Sequence, residues 1–93
     1  MNAGNETVVT NNAPSDSKFY VLQYSDGNSG VEEIFNTFEA AEDVGDRIWY
    51  RLSKNDQRKY SSKVGGTHFE IVVFADETKE SWFTVKDYTE GVE

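Results

Sequence analysis

The sequence has no cysteine, a single proline and a single histidine among its 93 residues. The lack of cysteine excludes disulfides, thiolate zinc sites, iron–sulfur clusters and thiol nucleophiles. The one histidine, His68, has no second histidine with which to hold a metal, so a structural role is expected for it. No run approaches the roughly 20 apolar residues of a membrane span, and the first residues lack the features of a secretory signal. These absences predict a cytoplasmic protein with no membrane association.

Two patterns resemble catalytic or metal-binding motifs without meeting their requirements. The segment that begins at Asp26 starts like a calcium loop, but it has Val31 where a glycine is needed and Thr37 where a bidentate glutamate is needed. Adjacent carboxylates such as Glu32 and Glu33 point to opposite faces of a strand and cannot share one substrate. The sequence therefore predicts a protein that is not an enzyme, with no catalytic residues, no metal and no cofactor.

Aromatic residues are plentiful, with six Phe, five Tyr and two Trp, and they supply a core from few positions. Alternating apolar segments predict strands, and three- and four-residue spacing after the N-cap Thr37 predicts a helix. The predicted elements are strands at 19–24, 31–36, 68–75 and 81–88, a main helix from Thr37, and at 54–60 either a short second helix or a bent continuation of the first. They form an α+β domain over residues 18–90, a two-layer ββαββ fold with one main helix on a four-stranded, mainly antiparallel sheet. Residues 1–17 are predicted to be a disordered tail.

The helix pattern defines one apolar stripe that must face the sheet. Its members are Ala41, Val44, Ile48 and Leu52, together with Ala40 and Trp49. Gly45 interrupts the stripe, and a close approach of helix and sheet would explain it. The opposite sheet face is predicted to carry Trp82, Phe74, Tyr88 and Tyr20, which mark a protein contact or a self-association surface unless strand twist and the tail cover them.

Charge is sorted along the chain, which has a net charge of −8. Between residues 26 and 46 there are seven acids and no base, whereas between residues 47 and 63 there are six bases and one acid. Complementarity to the helix dipole explains part of this order. It does not explain the acids of the first hairpin, so an acidic surface is the second interpretation.

Two segments resemble small accessory proteins of phages and other mobile elements of Gram-positive bacteria. They are Phe35–Glu42, and Leu52–Lys59 preceded by Trp49. The resemblance implies a stand-alone cytoplasmic accessory protein. Some proteins of this kind are acidic inhibitors of host defence nucleases, including anti-CRISPR proteins.

Three functional hypotheses remain open at this stage. In the first, the protein is a non-enzymatic module, an inhibitor, that presents carboxylates to a basic surface of a host nucleic-acid-binding protein or nuclease. The carboxylates are those of Glu32, Glu33, Glu39, Glu42, Asp43 and Asp46. In the second, it binds nucleic acid through Arg47, Arg51, Lys54, Arg58, Lys59 and Lys63, although the acidic remainder of the chain opposes this. In the third, it is a homodimeric interaction domain rather than a monomer.

Overall fold

The computed structural model describes residues 18–74 and 82–92. Four strands and two helices follow each other in the order β1 (Phe19–Ser25), β2 (Gly30–Phe35), α1 (Phe38–Trp49), α2 (Lys54–Ser61), β3 (His68–Phe74) and β4 (Trp82–Asp87). The strands form one antiparallel sheet in the order β2-β1-β3-β4. The predicted α+β fold with ββαββ order is confirmed, and residues 54–61 are a separate second helix. The predicted disordered tail and the charged segment after β3 lie outside the described residues.

The turn between β1 and β2 is built around the side chain of Asp26. Its Oδ1 accepts hydrogen bonds from the backbone N–H groups of Asn28 at 2.9 Å and Ser29 at 3.0 Å. Those two hydrogen bonds, with help from Lys59, hold the pKa of Asp26 below its usual range. Because the carboxylate is engaged by the turn, the segment is a hairpin, as predicted.

Side-chain caps begin both helices where the sequence indicates. The Thr37 Oγ1 accepts from the Ala40 N–H at 3.1 Å, and the Ser53 Oγ accepts from the Asp56 N–H at 3.1 Å. The buried side chain of Gln57 joins the two helices, because its Nε2 donates to the carbonyl of Trp49 at 3.0 Å. The same carbonyl, at the end of α1, also accepts from the Leu52 N–H at 3.1 Å, so both of its acceptor positions are used.

The core lies between the helices and one face of the sheet. Its buried members are Leu22, Phe69 and Ile71 from the sheet, Ala41 and Trp49 from α1, and Tyr88 just after β4. Val44, Ile48 and Leu52 pack against them, as the apolar stripe predicts. Ala40 is exposed, so its predicted place in the stripe is wrong. Gly45 is buried, and a Cβ at this position would lie 2.7 Å from the Tyr88 Oη, which accounts for the glycine.

The last strand departs from the predicted alternation. The pairing of β3 with β4 shifts between Ile71 and Val72, so that Ile71 lies opposite Lys86 while Val72 lies opposite Thr84. Such a bulge adds one residue to β4 and reverses the faces of all later side chains. Tyr88 therefore enters the core, although it was predicted to lie on the opposite face.

A similar correction applies to Tyr20. It pairs with Val73 and Phe35 and packs against the core cluster, so it also lies on the helix-bearing face. Of the four aromatic residues predicted for the other face, Phe74 and Trp82 lie there, opposite each other on β3 and β4.

Candidate protein-binding surface

The outer strand β2 carries two exposed glutamates on opposite faces of the sheet. Glu33 lies opposite Leu22, on the face that bears the helices, and Glu32 lies opposite Gln23 on the other face. Within the described chain neither carboxylate has a hydrogen-bond or ion-pair partner. Both are therefore available to an external cation.

The neighbouring carboxylate of Glu70 shows the contrast. Its Oε2 accepts from Gln23 Nε2 at 2.6 Å, and its Oε1 accepts from Thr84 Oγ1 at 3.1 Å. Both oxygens of Glu70 thus accept hydrogen bonds from the neighbouring strands. Glu70 lies opposite Gln23, which in turn lies opposite Glu32. Of the two carboxylates, the one without a hydrogen-bond partner in the described chain is Glu32, at the β2 edge.

Two of the helix carboxylates are engaged inside the molecule. Lys86 Nζ lies 2.8 Å from Glu42 Oε2 and 3.3 Å from Asp46 Oδ1. The Tyr88 hydroxyl donates to Asp46 Oδ1 at 2.6 Å, and Lys86 Nζ lies 4.7 Å from the centre of the Tyr88 ring. This network, which we call the α1–β4 network, ties α1 to the end of β4. Glu42 and Asp46 thus have a structural partner that sequence periodicity does not reveal, because Lys86 lies 40 residues or more away.

The remaining two acids of the predicted site lie on the exposed side of α1. Asp43 forms an ion pair with Arg47 one turn later, and both side chains are largely exposed, so the pair contributes little to stability. Glu39 is exposed in the first turn and has no partner in the described residues. Three of the six predicted carboxylates therefore have no hydrogen-bond or ion-pair partner among residues 18–74 and 82–92, namely Glu32, Glu33 and Glu39.

Most of the basic residues of the alternative site have partners within the chain. Lys59 Nζ lies 3.9 Å from Asp26 Oδ2, and Lys63 Nζ lies 3.6 Å from Asp87 Oδ2. Arg58 donates to Asn55 Oδ1 at 3.0 Å. As noted above, Arg47 pairs with Asp43.

Two bases have no such partner, and an exposed aromatic residue lies next to them. Arg51 and Lys54 are exposed and form no ion pair within residues 18–74 and 82–92. Tyr50 is 70% exposed and lies beside them in the chain. Trp49 is 4% exposed, so it cannot stack on a nucleic-acid base. The basic site is therefore smaller than the sequence suggests.

The α1–β4 network also contributes to the response of the protein to alkaline pH. Burial and the hydrogen bond to Asp46 raise the pKa of Tyr88. The hydrogen bond to Glu42 raises the pKa of Lys86, desolvation opposes this increase, and Asp46 adds to it. Groups whose pKa is raised by folding stabilise the native state fully below their unfolded pKa, near 10, and lose this contribution as pH rises through the folded value. We expect the urea midpoint to be lower at about pH 11 than at about pH 8.

A variant separates the network from general charge repulsion at high pH. Tyr88→Phe removes one raised pKa, so its midpoint should fall less between the two pH values than that of the unmodified protein. Equal falls in the two proteins would contradict a role for Tyr88 in the pH response.

The described residues contain neither a metal site nor a membrane-spanning helix. No group of three or more His, Asp or Glu side chains there is placed to hold a metal ion, and neither helix is long and apolar enough to cross a bilayer. His68 has a local role, since its Nδ1 lies 2.8 Å from the carbonyl of Gly66 and can donate a hydrogen bond to it.

Known proteins give no further guidance to the role of these residues. No family model matches the sequence, no curated protein is significantly similar to it, and no solved structure matches the fold. Function is therefore inferred from the free carboxylates of β2 and α1.

Proposed function

We propose that this protein is a non-enzymatic acidic binding module that inhibits a host nucleic-acid-binding protein or nuclease by presenting carboxylates to its basic groove. The observation that carries the proposal is the set of exposed carboxylates that have no partner within the described part of the chain, Glu32, Glu33 and Glu39. Three of the six bases in the stretch from 47 to 63, namely Arg47, Lys59 and Lys63, form ion pairs within the chain. The charge left for a partner on β2 and α1 is therefore negative.

Position and net charge both support this function. Glu33 lies on the helix-bearing face of the outer strand, and Glu39 lies in the first turn of α1, which packs on β1 and β2. A net charge of −8 attracts a basic groove at long range and speeds the encounter. The same field opposes direct binding to phosphate backbones.

Two charge-neutralising variants, one of acids and one of bases, test the proposal. Glu32→Gln, Glu33→Gln and Glu39→Gln are combined in one protein, and Arg51→Gln and Lys54→Gln in the other. Neither protein loses an ion pair of the described chain, so both should fold normally. Each is used to capture proteins from a nuclease-treated Gram-positive lysate at about 50 mM and about 500 mM salt, since salt screens exposed charges.

We expect the unmodified protein to retain a basic protein at low salt and to release it at high salt. Neutralising the three glutamates should weaken the affinity for that protein about tenfold or more, because attraction between complementary charges is lost. Neutralising the two bases should leave it unchanged or slightly tighter. Equal retention by the glutamate variant would contradict the proposal.

A second candidate function is binding of single-stranded nucleic acid, and the exposed Tyr50, which precedes Arg51 and Lys54 in the chain, favours it. Proteins that bind single strands combine stacking aromatic rings with cationic side chains. In this case a labelled single-stranded oligonucleotide should bind the unmodified protein and the glutamate variant but not the Arg51→Gln/Lys54→Gln variant. A cytoplasmic location and an accessory role in a phage or mobile element belong to the main proposal. The lack of cysteine supports the first, and the resemblance of the segments Phe35–Glu42 and Leu52–Lys59 supports the second.

A further inference from the structure

The outer edge of β2 is a regular strand edge that nothing in the described chain covers. β2 pairs with β1 over six residues without interruption, and on its other side it has no neighbour in the sheet. Five of its six residues are exposed, including Ile34 at 51%. Exposed strand edges offer unpaired N–H and C=O groups to any extended chain, so proteins usually block them.

The opposite edge of the sheet shows how such blocking looks. β4 is interrupted by a bulge and carries Lys86, two features that discourage strand pairing. β2 has no bulge, no proline and no lysine. The two edges of one sheet are therefore unequal, and β2 is the one that remains competent to pair.

The hairpin hydrogen bond shows which backbone groups point outward. The Asp26 N–H donates to the Ser29 carbonyl at 3.3 Å, just beyond the Ser25–Gly30 pair. Bonded and non-bonded pairs alternate along an antiparallel ladder, so every second residue of β2 directs its N–H and C=O away from β1. These residues are Gly30, Glu32 and Ile34.

Charge decides which occupant fits this edge. If two copies paired antiparallel through β2, outward-directed residues would have to lie opposite outward-directed residues, so Glu32 could not lie opposite Glu33. The two registers with the greatest overlap would place either two Glu32 or two Glu33 side chains opposite each other. Like charges directly opposite each other destabilise a strand pair, whereas opposite charges stabilise it. A basic strand therefore fits where a second copy does not.

We propose that the outer edge of β2 accepts an extended basic segment of the partner protein as a fifth strand of the sheet. Lys or Arg side chains opposite Glu32 and Glu33 would face the two carboxylates on the two faces of the sheet. Apolar side chains opposite Val31 and Ile34, which are 45% and 51% exposed, would cover them. Main-chain hydrogen bonds supply affinity and alternate side chains supply specificity in this mode of recognition. The inference rests on the proposed function and specifies how the acidic surface binds.

The test uses a defined probe in place of an unknown partner. A labelled, end-capped peptide, Thr-Val-Lys-Lys-Ile-Thr, is titrated with the full chain and followed by fluorescence anisotropy. Its matched control is the same peptide N-methylated at its four central amides, which keeps every charge and side chain but cannot donate to a strand edge. We expect methylation to weaken binding at least about tenfold, since each lost hydrogen bond contributes modestly and more than one is lost.

Two protein variants test the same edge from the other side. Ile34→Pro removes an outward N–H without breaking the β1–β2 ladder, because proline is tolerated at such edge positions. It should weaken peptide binding about as much as methylation does, while circular dichroism stays native. Ile34→Ala controls for the lost side chain, retains the N–H, and should bind more tightly than the proline variant.

The outcomes separate this inference from the function on which it rests. If both peptides bind equally, and Glu32→Gln and Glu33→Gln weaken the binding of both, strand addition is overturned. The hypothesis that the acidic surface binds the partner would then still stand. If the unmodified peptide does not bind at about 1 mM, strand addition is also overturned, because its dissociation constant would be too high for a specific contact. A concentration-dependent increase in size that Ile34→Pro abolishes would make a second copy the occupant and overturn the inference as well. Failure of the proposed function has a different readout, namely partner capture that is insensitive to the three glutamates.

Discussion

Replacement of Phe69 by alanine is expected to lower the free energy of unfolding by about 3 to 5 kcal/mol, the cost of removing a large buried aromatic side chain. Phe69 is fully buried. Its ring stacks on Tyr24 at a centroid distance of 4.6 Å and meets Trp49 edge-on at 4.9 Å. Tyr60 and Tyr88 complete the cluster at 5.4 and 5.2 Å. A small domain has a total stability of about 5 to 10 kcal/mol, so this variant should be close to unfolding.

Phe83 provides a matched control for this prediction. It is the same residue type in the same sheet but is 59% exposed. Phe83→Ala should change the stability by no more than about 0.5 kcal/mol, as surface substitutions usually do. Urea denaturation followed by circular dichroism measures both variants. Similar losses in the two proteins would show that the aromatic cluster is not the main core.

The second large effect is expected at Gly45, where alanine should destabilise the protein although it is the better helix former. An added Cβ would lie 2.7 Å from the Oη and 3.1 Å from the Cζ of Tyr88. That side chain is buried and held by its hydrogen bond to Asp46, so it has little room to move. Overpacking of this kind costs about 1 to 3 kcal/mol. It opposes a gain in helix propensity of about 1 kcal/mol, and we expect a net loss.

Two further variants isolate the cause of that loss. Ala40 is exposed on the same helix, so Ala40→Gly should cost about 1 kcal/mol through propensity alone. Tyr88→Phe removes the hydroxyl that the new methyl group would meet. Tyr88→Phe should therefore lower the free energy of unfolding less in the Gly45→Ala background than in the unmodified protein, because the effects of substitutions at contacting residues are not additive. Thermal denaturation measures the cycle, and a stabilising Gly45→Ala would contradict the close approach.

The fold could be predicted from the sequence because its local signals agree with one another. The N-caps Thr37 and Ser53, the turn at Asp26 and the alternation in the strand that begins at His68 each indicate the element that is observed. The faces of β4 could not be predicted in the same way. The bulge beside Val72 depends on how β4 pairs with β3, and this pairing leaves no mark in the alternation of a short strand.

The candidate site was predictable only in part, for a related reason. Sequence order groups six carboxylates between residues 32 and 46, but it does not show which of them find cations. Lys86 reaches Glu42 and Asp46 only because the sheet brings the end of β4 beside α1. Glu32 and Glu33 could be named as candidates from the sequence. Only the tertiary structure distinguishes them from Glu42 and Asp46, whose carboxylates have partners in the described chain.

The strand order has a consequence for how the chain folds. The central pair joins β1 to β3, from Ser25 opposite His68 to Phe19 opposite Phe74, so both hairpins depend on a contact between distant parts of the chain. Closing that long loop has an entropic cost before the sheet gains any stability from it. A two-stranded hairpin alone is at best marginally stable in water. Folding should therefore be a single cooperative step limited by the meeting of β1 and β3, and neither half of the chain should fold alone.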